Sequence, residues 1–187
     1  MAAHGVSIFE VAQKGRKWEI VKDSLYNRKI TADTKVAIDG PAAGHPLLKT
    51  DEDQTGKLAR GTFNNCGNGR TPWGTYLACE ENFHGYFSSP SDPNANLSAD
   101  LKRYGVKTKD WGYNWVMNQD RFDVVKNPNE INRHGYITEI DPSKPQSMPR
   151  KQTAMGRFKH ENCEVVVSKN GQVVAYMGDD ELSLIHI

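Results

Sequence analysis

The sequence predicts an all-β protein of sandwich or propeller type. Three observations carry this prediction. Short runs with period-two alternation recur along the chain, turn signals separate them, and the long uninterrupted helical patterns of a bundle are missing. The 16 Gly and 9 Pro among 187 residues supply the punctuation. That length suffices for one domain with a core of its own.

The elements follow in order. Gly5 to Val11 reads as a strand, with Val6 and Ile8 on one face and Phe9 and Val11 on the other. Lys14-Gly15 signals a turn, and Lys17 to Val21 gives a second strand, so the two read as an antiparallel hairpin. Asp23 to Lys29 reads as a connector and Lys35 to Ile38 as a short strand. Asp39 to Pro46 is a rigid loop of small residues; it is either a tight turn or a backbone that approaches a site and presents His45. Residues 51 to 57 are polar and expected at the surface.

The richest stretch is Asn64 to Phe87. It begins as a loop, with Gly67 and Gly69 interleaved with Asn65 and Asn68. Pro72 biases Thr71 towards an extended shape, and a strand-like run follows from Trp73 to Cys79, with Trp73, Thr75, Leu77 and Cys79 on one face. The run ends in Cys79-Glu80-Glu81, one soft and two hard ligands at a strand end. Alternation sends Cys79 and Glu81 one way and Glu80 the other, and a bulge there would let all three serve one cluster. A buried strand cysteine followed by a solvated acidic turn is the other reading.

Beyond it, Ser88 to Asn96 reads as a loop and Leu97 to Tyr104 as a short helix with Leu97, Leu101 and Tyr104 on one face. Trp111, Tyr113 and Trp115 alternate and suggest packing beneath a loop. Phe122 to Val125 and Gly135 to Ile140 read as strands, with a turn at Asn127 to Glu130 between them and a polar connector, Ser143 to Pro149, after them.

Cys163 to Val167 and Val173 to Met177 are apolar, β-branched runs around Asn170-Gly171, a strong hairpin signal. With Asn170 and Gly171 as a two-residue loop, Val167 faces Val174, Val165 faces Tyr176 and Glu161 faces Asp180. The open end then gathers Glu161, Asp179, Asp180 and Glu181, with His160 beside them. Opposed like charges destabilise a sheet, and a bound cation is the natural compensation; a frayed, solvated acidic end is the alternative.

Composition excludes several function classes. Lys and Arg number 24 against 23 Asp and Glu, for a net charge of +1, which argues against electrostatically driven binding to nucleic acid or membrane. No stretch approaches the roughly 20 apolar residues of a spanning helix, and no export signal is visible at Met1 to Gly5. Cys66, Cys79 and Cys163 form no Cys-x-x-Cys or zinc spacing, and a Cys66–Cys79 disulfide is left open. Residues 182–187, Leu-Ser-Leu-Ile-His-Ile, look like a translated sequencing-library adapter, so residues 1–181 are expected to form part of a single domain whose natural chain continues after Glu181.

Several motifs together resemble the PhoX-type alkaline phosphatase family. They are Gly-Pro-Ala-Ala-Gly-His-Pro (40–46), Asn65-Cys66, Thr-Pro-Trp-Gly-Thr-Tyr-Leu-Ala-Cys-Glu-Glu-Asn (71–82), Glu-Ile-Asp-Pro (139–142), Gly-Arg-Phe-Lys-His-Glu (156–161) and Tyr-Met-Gly-Asp-Asp-Glu (176–181). The resemblance covers nearly all of residues 1 to 181. It implies a β-propeller, here partial, whose axial site holds Fe(III) and Ca2+ and hydrolyses small-molecule phosphomonoesters, in an exported bacterial enzyme, typically periplasmic. It implies Cys79 as iron ligand, with Glu80, Glu81, Glu161, Asp179, Asp180 and Glu181 as further metal ligands. Arg157, Lys159 and His160 are the catalytic candidates for the phosphate oxygens. The family's length implies that most of the propeller lies outside this sequence. Two other classes stay in view: a non-catalytic calcium-stabilised propeller that binds a partner or glycan, and a calcium-dependent esterase or lactonase.

Overall fold

The computed structural model describes residues 1–182, so the proposed adapter segment 182–187 lies outside the described residues except for Leu182. The architecture is all-β, with one short α-helix among the described residues and with open sheets. The strands are β1 (Val6–Ile8), β2 (Val11–Lys14), β3 (Lys17–Ile20), β4 (Arg28–Ile30), β5 (Lys35–Asp39), β6 (Leu58–Arg60), β7 (Asn65–Arg70), β8 (Tyr76–Glu80), β9 (Ile137–Ile140), β10 (Arg150–Gln152), β11 (His160–Val167) and β12 (Val173–Asp179). Helix α1 (Ala99–Arg103) lies within the predicted helical run and is capped by Ser98, whose Oγ accepts from the Leu101 N–H.

Six strands form the main sheet in the order β6-β5-β10-β9-β8-β7, with β5 and β10 parallel and the other neighbours antiparallel. The pairs β1–β4, β2–β3 and β11–β12 are two-stranded. The strand predicted from Gly5 to Val11 does not form the hairpin: its residues Val6–Ile8, β1, pair with β4, partly in a segment read from sequence as a connector. The hairpin partner of β3 is β2, which shares only Val11 with the predicted strand. Strand β10 lies just beyond the predicted polar connector. Phe122 to Val125 does not form a ladder strand: a 3-10 turn ends at Phe122, and Asp123 makes only an isolated bridge to Ser88.

The glycine-rich start of the central stretch is strand β7, not a loop. Its glycines let β11 lie directly against it: a Cβ on Gly67 would stand 2.4 Å from Glu161 O, and one on Gly69 1.8 Å from Cys163 O. Both strands carry a bulge at this crossing. In β7 it falls at Cys66 and Gly67, between the Asn65–Glu80 and Asn68–Ala78 pairs. In β11 it falls at Glu161 and Asn162, between the His160–Asp179 and Cys163–Met177 pairs. The predicted hairpin register is displaced already at the turn. Val167 pairs with Val173, because the loop holds three residues and Gly171, at φ +82°, closes it, so Glu161 does not face Asp180.

Two cores position the site. An aromatic one is centred on Phe63, whose ring centroid lies 4.9 Å from Tyr86, 5.4 Å from Trp115 and 5.8 Å from Phe122. Of the alternating aromatics, Trp115 enters this core and Trp111 and Tyr113 stay exposed. The second core, of Leu77, Cys79, Ile137, Cys163 and Val165, glues β8 and β9 to β11.

Candidate metal centre

The end of β8 separates the three residues that the sequence places in one triplet. Cys79 points into the second core, fully buried among Leu77, Ile137 and Cys163. Burial, with Cys163, Cys66 and Glu80 nearby, pushes its thiol up to about 12. Glu80 points to the opposite face, as alternation requires, and is also fully buried. Its carboxylate accepts from Lys151 Nζ at 2.7 Å and from the amides of Gly135 and Tyr136 at 2.9 and 3.2 Å. Burial pushes this carboxyl up, but the Lys151 ammonium, with His134 beside it, outweighs that and holds it at about 2. The expectation that Cys79 and Glu80 join the carboxylate cluster is therefore corrected. The thiol is needed by the apolar core, and the carboxylate is committed to a buried lysine.

Glu81 takes the remaining direction. Its amide donates to Asn64 O at 3.0 Å, the Asn82 amide donates to Asn64 Oδ1 at 2.8 Å, and the Asn82 side chain donates to Glu81 Oε1. Asn64 makes this clamp from the left-handed region, at φ +50°. The Glu81 carboxyl meets that of Asp180, with Glu161 close by, and burial together with these two neighbours pushes it up to about 7. The cysteine facing this group is Cys66, exposed on the β7 bulge; burial and then the charges of Glu81, Glu161 and Asp180 push its thiol up. All three cysteines are free thiols, so the Cys66–Cys79 disulfide is not formed. Glu81, Glu161 and Asp180, far apart in the chain, thus meet beside Cys66, where two bulges abut. A cleft of ≈ 410 Å³ walled by His4, Asn64, Asn65 and Tyr86 opens onto Cys66 and Glu81.

The other predicted residues flank this cluster. A second cleft, of ≈ 350 Å³, is lined by Arg103, Arg157, Lys159, Asp179 and Glu181 among others. Glu181 pairs with Lys159 and lies 3.8 Å from Arg103, while Asp179 Oδ1 accepts from the Glu181 amide at 3.1 Å. Arg157 donates from Nε to His134 O and from Nη2 to Ile131 O, both at 2.9 Å, with its guanidinium 4.2 Å from the Tyr104 ring centroid. It therefore lines the cleft as a rigid group. His160 is not there: it is fully buried, its ring centroid 3.6 Å from that of Phe158 in a tilted arrangement, and burial lowers its pKa, so it stays neutral. The structure places it in the packing beside Phe158, outside the cleft lining.

Among the described residues no three His, Cys, Asp or Glu side chains converge tightly enough to hold an ion by themselves. The donor set nevertheless fits multivalent cations. Burial and the neighbouring Asp180 and Glu161 carboxylates keep a proton on Glu81 near neutrality, with Lys159 offsetting them only in part, and a thiol stands beside them. Reading from sequence missed Cys66, although Asn65-Cys66 was among the family-like motifs, because the glycines around it suggested a loop. A further cleft, of ≈ 500 Å³ beside Trp73, Glu139 and Arg150, opens near the other end of β8, away from these groups.

The alkaline phosphatase PhoX family model matches residues 1–184. The solved structure of Pseudomonas fluorescens PhoX in complex with vanadate, a transition-state analogue, is 52% identical and superposes with a TM-score of 0.91. That match covers 94% of this chain and 30% of the other, so the chain spans under a third of that protein's length. No curated protein matches the chain. A family match that runs through almost the whole chain, together with this identity, shows that the chain belongs to the PhoX alkaline phosphatase family.

Proposed function

We propose that the chain contributes part of the centre of an iron- and calcium-dependent phosphomonoesterase, within a propeller completed by sequence outside this chain. The observation that carries this reading is the meeting of Glu81, Glu161 and Asp180 beside Cys66. Membership of an alkaline phosphatase family and the vanadate complex of the P. fluorescens relative support the phosphoryl chemistry. Periplasmic export is carried over from the family resemblance alone.

In this reading Cys66, not Cys79, is the soft ligand that suits ferric iron, and the carboxylate oxygens of Glu81, Glu161 and Asp180 suit calcium. When bound, the ions neutralise the phosphate dianion and polarise its oxygens. The chain's own residues do the rest. Lys159, Arg103 and Arg157 line the adjoining cleft together with Asp100, Asp179 and Glu181, and in this reading the three cations turn to the dianion's oxygens once it displaces Glu181 from Lys159 and Arg103. Cys66 Sγ and the Glu81 carboxyl hold protons while the cluster is uncompensated and release them as cations load, so metal affinity rises with pH.

The test is hydrolysis of p-nitrophenyl phosphate by the full-length protein, with elemental analysis, before and after chelation. Activity that vanishes with chelator and returns with iron and calcium supports the reading. A protein that cleaves aryl esters and leaves aryl phosphates intact is an esterase, and one that keeps calcium but hydrolyses neither is a binding module; both results overturn it.

A further inference from the structure

Behind Glu81, on the other face of the same backbone, runs a buried ionic network that the proposed chemistry does not use. Lys151 Nζ donates to Glu80 Oε1 at 2.7 Å, to Arg133 O at 2.8 Å and to His134 Nδ1 at 2.8 Å. Donation into Nδ1 leaves the ring proton on Nε2, which faces Glu130 Oε1 at 3.5 Å. Glu130 also accepts from Arg121 Nη1 at 2.9 Å and from Arg133 Nη2. Lys151, Glu80 and His134 are wholly buried, and Glu130 and Arg133 nearly so.

Stability alone does not account for such a network. Ions removed from water lose their hydration, and a packed apolar set of the same volume often serves a core as well or better. What the network does have is reach. Glu80 immediately precedes Glu81, and its second carboxylate oxygen holds the amides of Gly135 and Tyr136. The same backbone turn, through the carbonyls of Ile131 and His134, holds Arg157. One lysine thus ties together the strand end that presents the carboxylate cluster and the loop that presents the cleft's arginine. A cluster of three carboxylates that repel one another needs such bracing, since without it the end of β8 relaxes away from Asp180 and Glu161.

We propose that Lys151 is a positioning residue for the metal centre: through Glu80 it braces the end of β8, and through the backbone of residues 131–134 it braces Arg157. This inference rests on the metal reading of Glu81, Glu161 and Asp180.

The experiment is calcium titration calorimetry on the full-length protein, with thermal unfolding of each variant followed in parallel. Lys151→Met leaves the Glu80 charge uncompensated and can unfold the protein, so the deciding variant is Glu80→Gln/Lys151→Met. It balances the charge and keeps an acceptor for the Gly135 and Tyr136 amides. The double variant is expected to unfold close to the wild-type temperature and to bind calcium about 10- to 100-fold more weakly. Wild-type calcium affinity in the folded double variant overturns the proposal, because a merely structural lysine would shift only the unfolding temperature. Glu81→Gln is the control. If Glu81→Gln loses affinity and the double variant does not, Lys151 alone is misread; if neither loses affinity, the metal reading falls and takes this inference with it.

Discussion

Replacing each cysteine by serine separates a core thiol from a ligand thiol. Cys79 is fully buried among Leu77, Ile137, Cys163 and Val165, and no described residue offers its side chain a hydrogen bond. Serine there buries a hydroxyl without a partner, which costs about 1–3 kcal/mol in proteins. Each kcal/mol moves Tm by roughly 2–4 °C in a domain of about 150–250 residues and by less in a longer protein, so Cys79→Ser is expected to lower the Tm of the full-length protein by a few degrees while keeping its metal content. Cys66 is exposed on a bulge and packs in neither core, so Cys66→Ser is expected to unfold near the wild-type temperature while losing iron and activity. Elemental analysis and thermal unfolding of the two full-length variants read the contrast directly. If Cys79→Ser lost iron at unchanged Tm while Cys66→Ser kept it, the assignment of the two thiols would be refuted.

Two more outcomes follow from the geometry. The Glu81 carboxyl is held up at about 7 in the folded protein, above its ordinary value, so the native state binds more protons than the unfolded chain between about 4.5 and 7. Metal-free protein should therefore lose stability as pH rises through that window, and saturating calcium should abolish the loss; identical pH profiles of Tm with and without calcium would contradict the crowding. Gly69→Ala would drive a Cβ into Cys163 O, and overpacking of this kind costs about 1–3 kcal/mol or more. Denaturant unfolding should show that loss together with weaker calcium binding, and a variant as stable as wild type would mean that β11 does not lie on β7.

The local pattern made much of the strand inventory legible. Alternation and turn residues located β1, β3, β5, β8, β9, β11 and β12, and helix α1 lay inside its predicted run. Strands β4, β6, β7 and β10 escaped, as did all of β2 beyond Val11, because nothing local marks them. Arg28–Ile30 and Arg150–Gln152 are polar, and each becomes a strand by pairing with a partner far off in the chain. The glycines of β7 read as a loop because their reason, the close passage of β11, is a tertiary contact.

From the residues alone came the all-β class and the family resemblance. Those are matters of composition, period and motif, which the chain carries wherever it folds. The tertiary structure decided which cysteine meets the acids, which of two adjacent glutamates is buried on Lys151, and how the β11–β12 hairpin is registered. A bulge shifts a strand by one residue, and with side chains alternating at period two that shift decides whether a group faces core or cluster. The abutting bulges at Cys66 and Glu161 make that choice here, and they arise only where two glycines let one backbone lie against another.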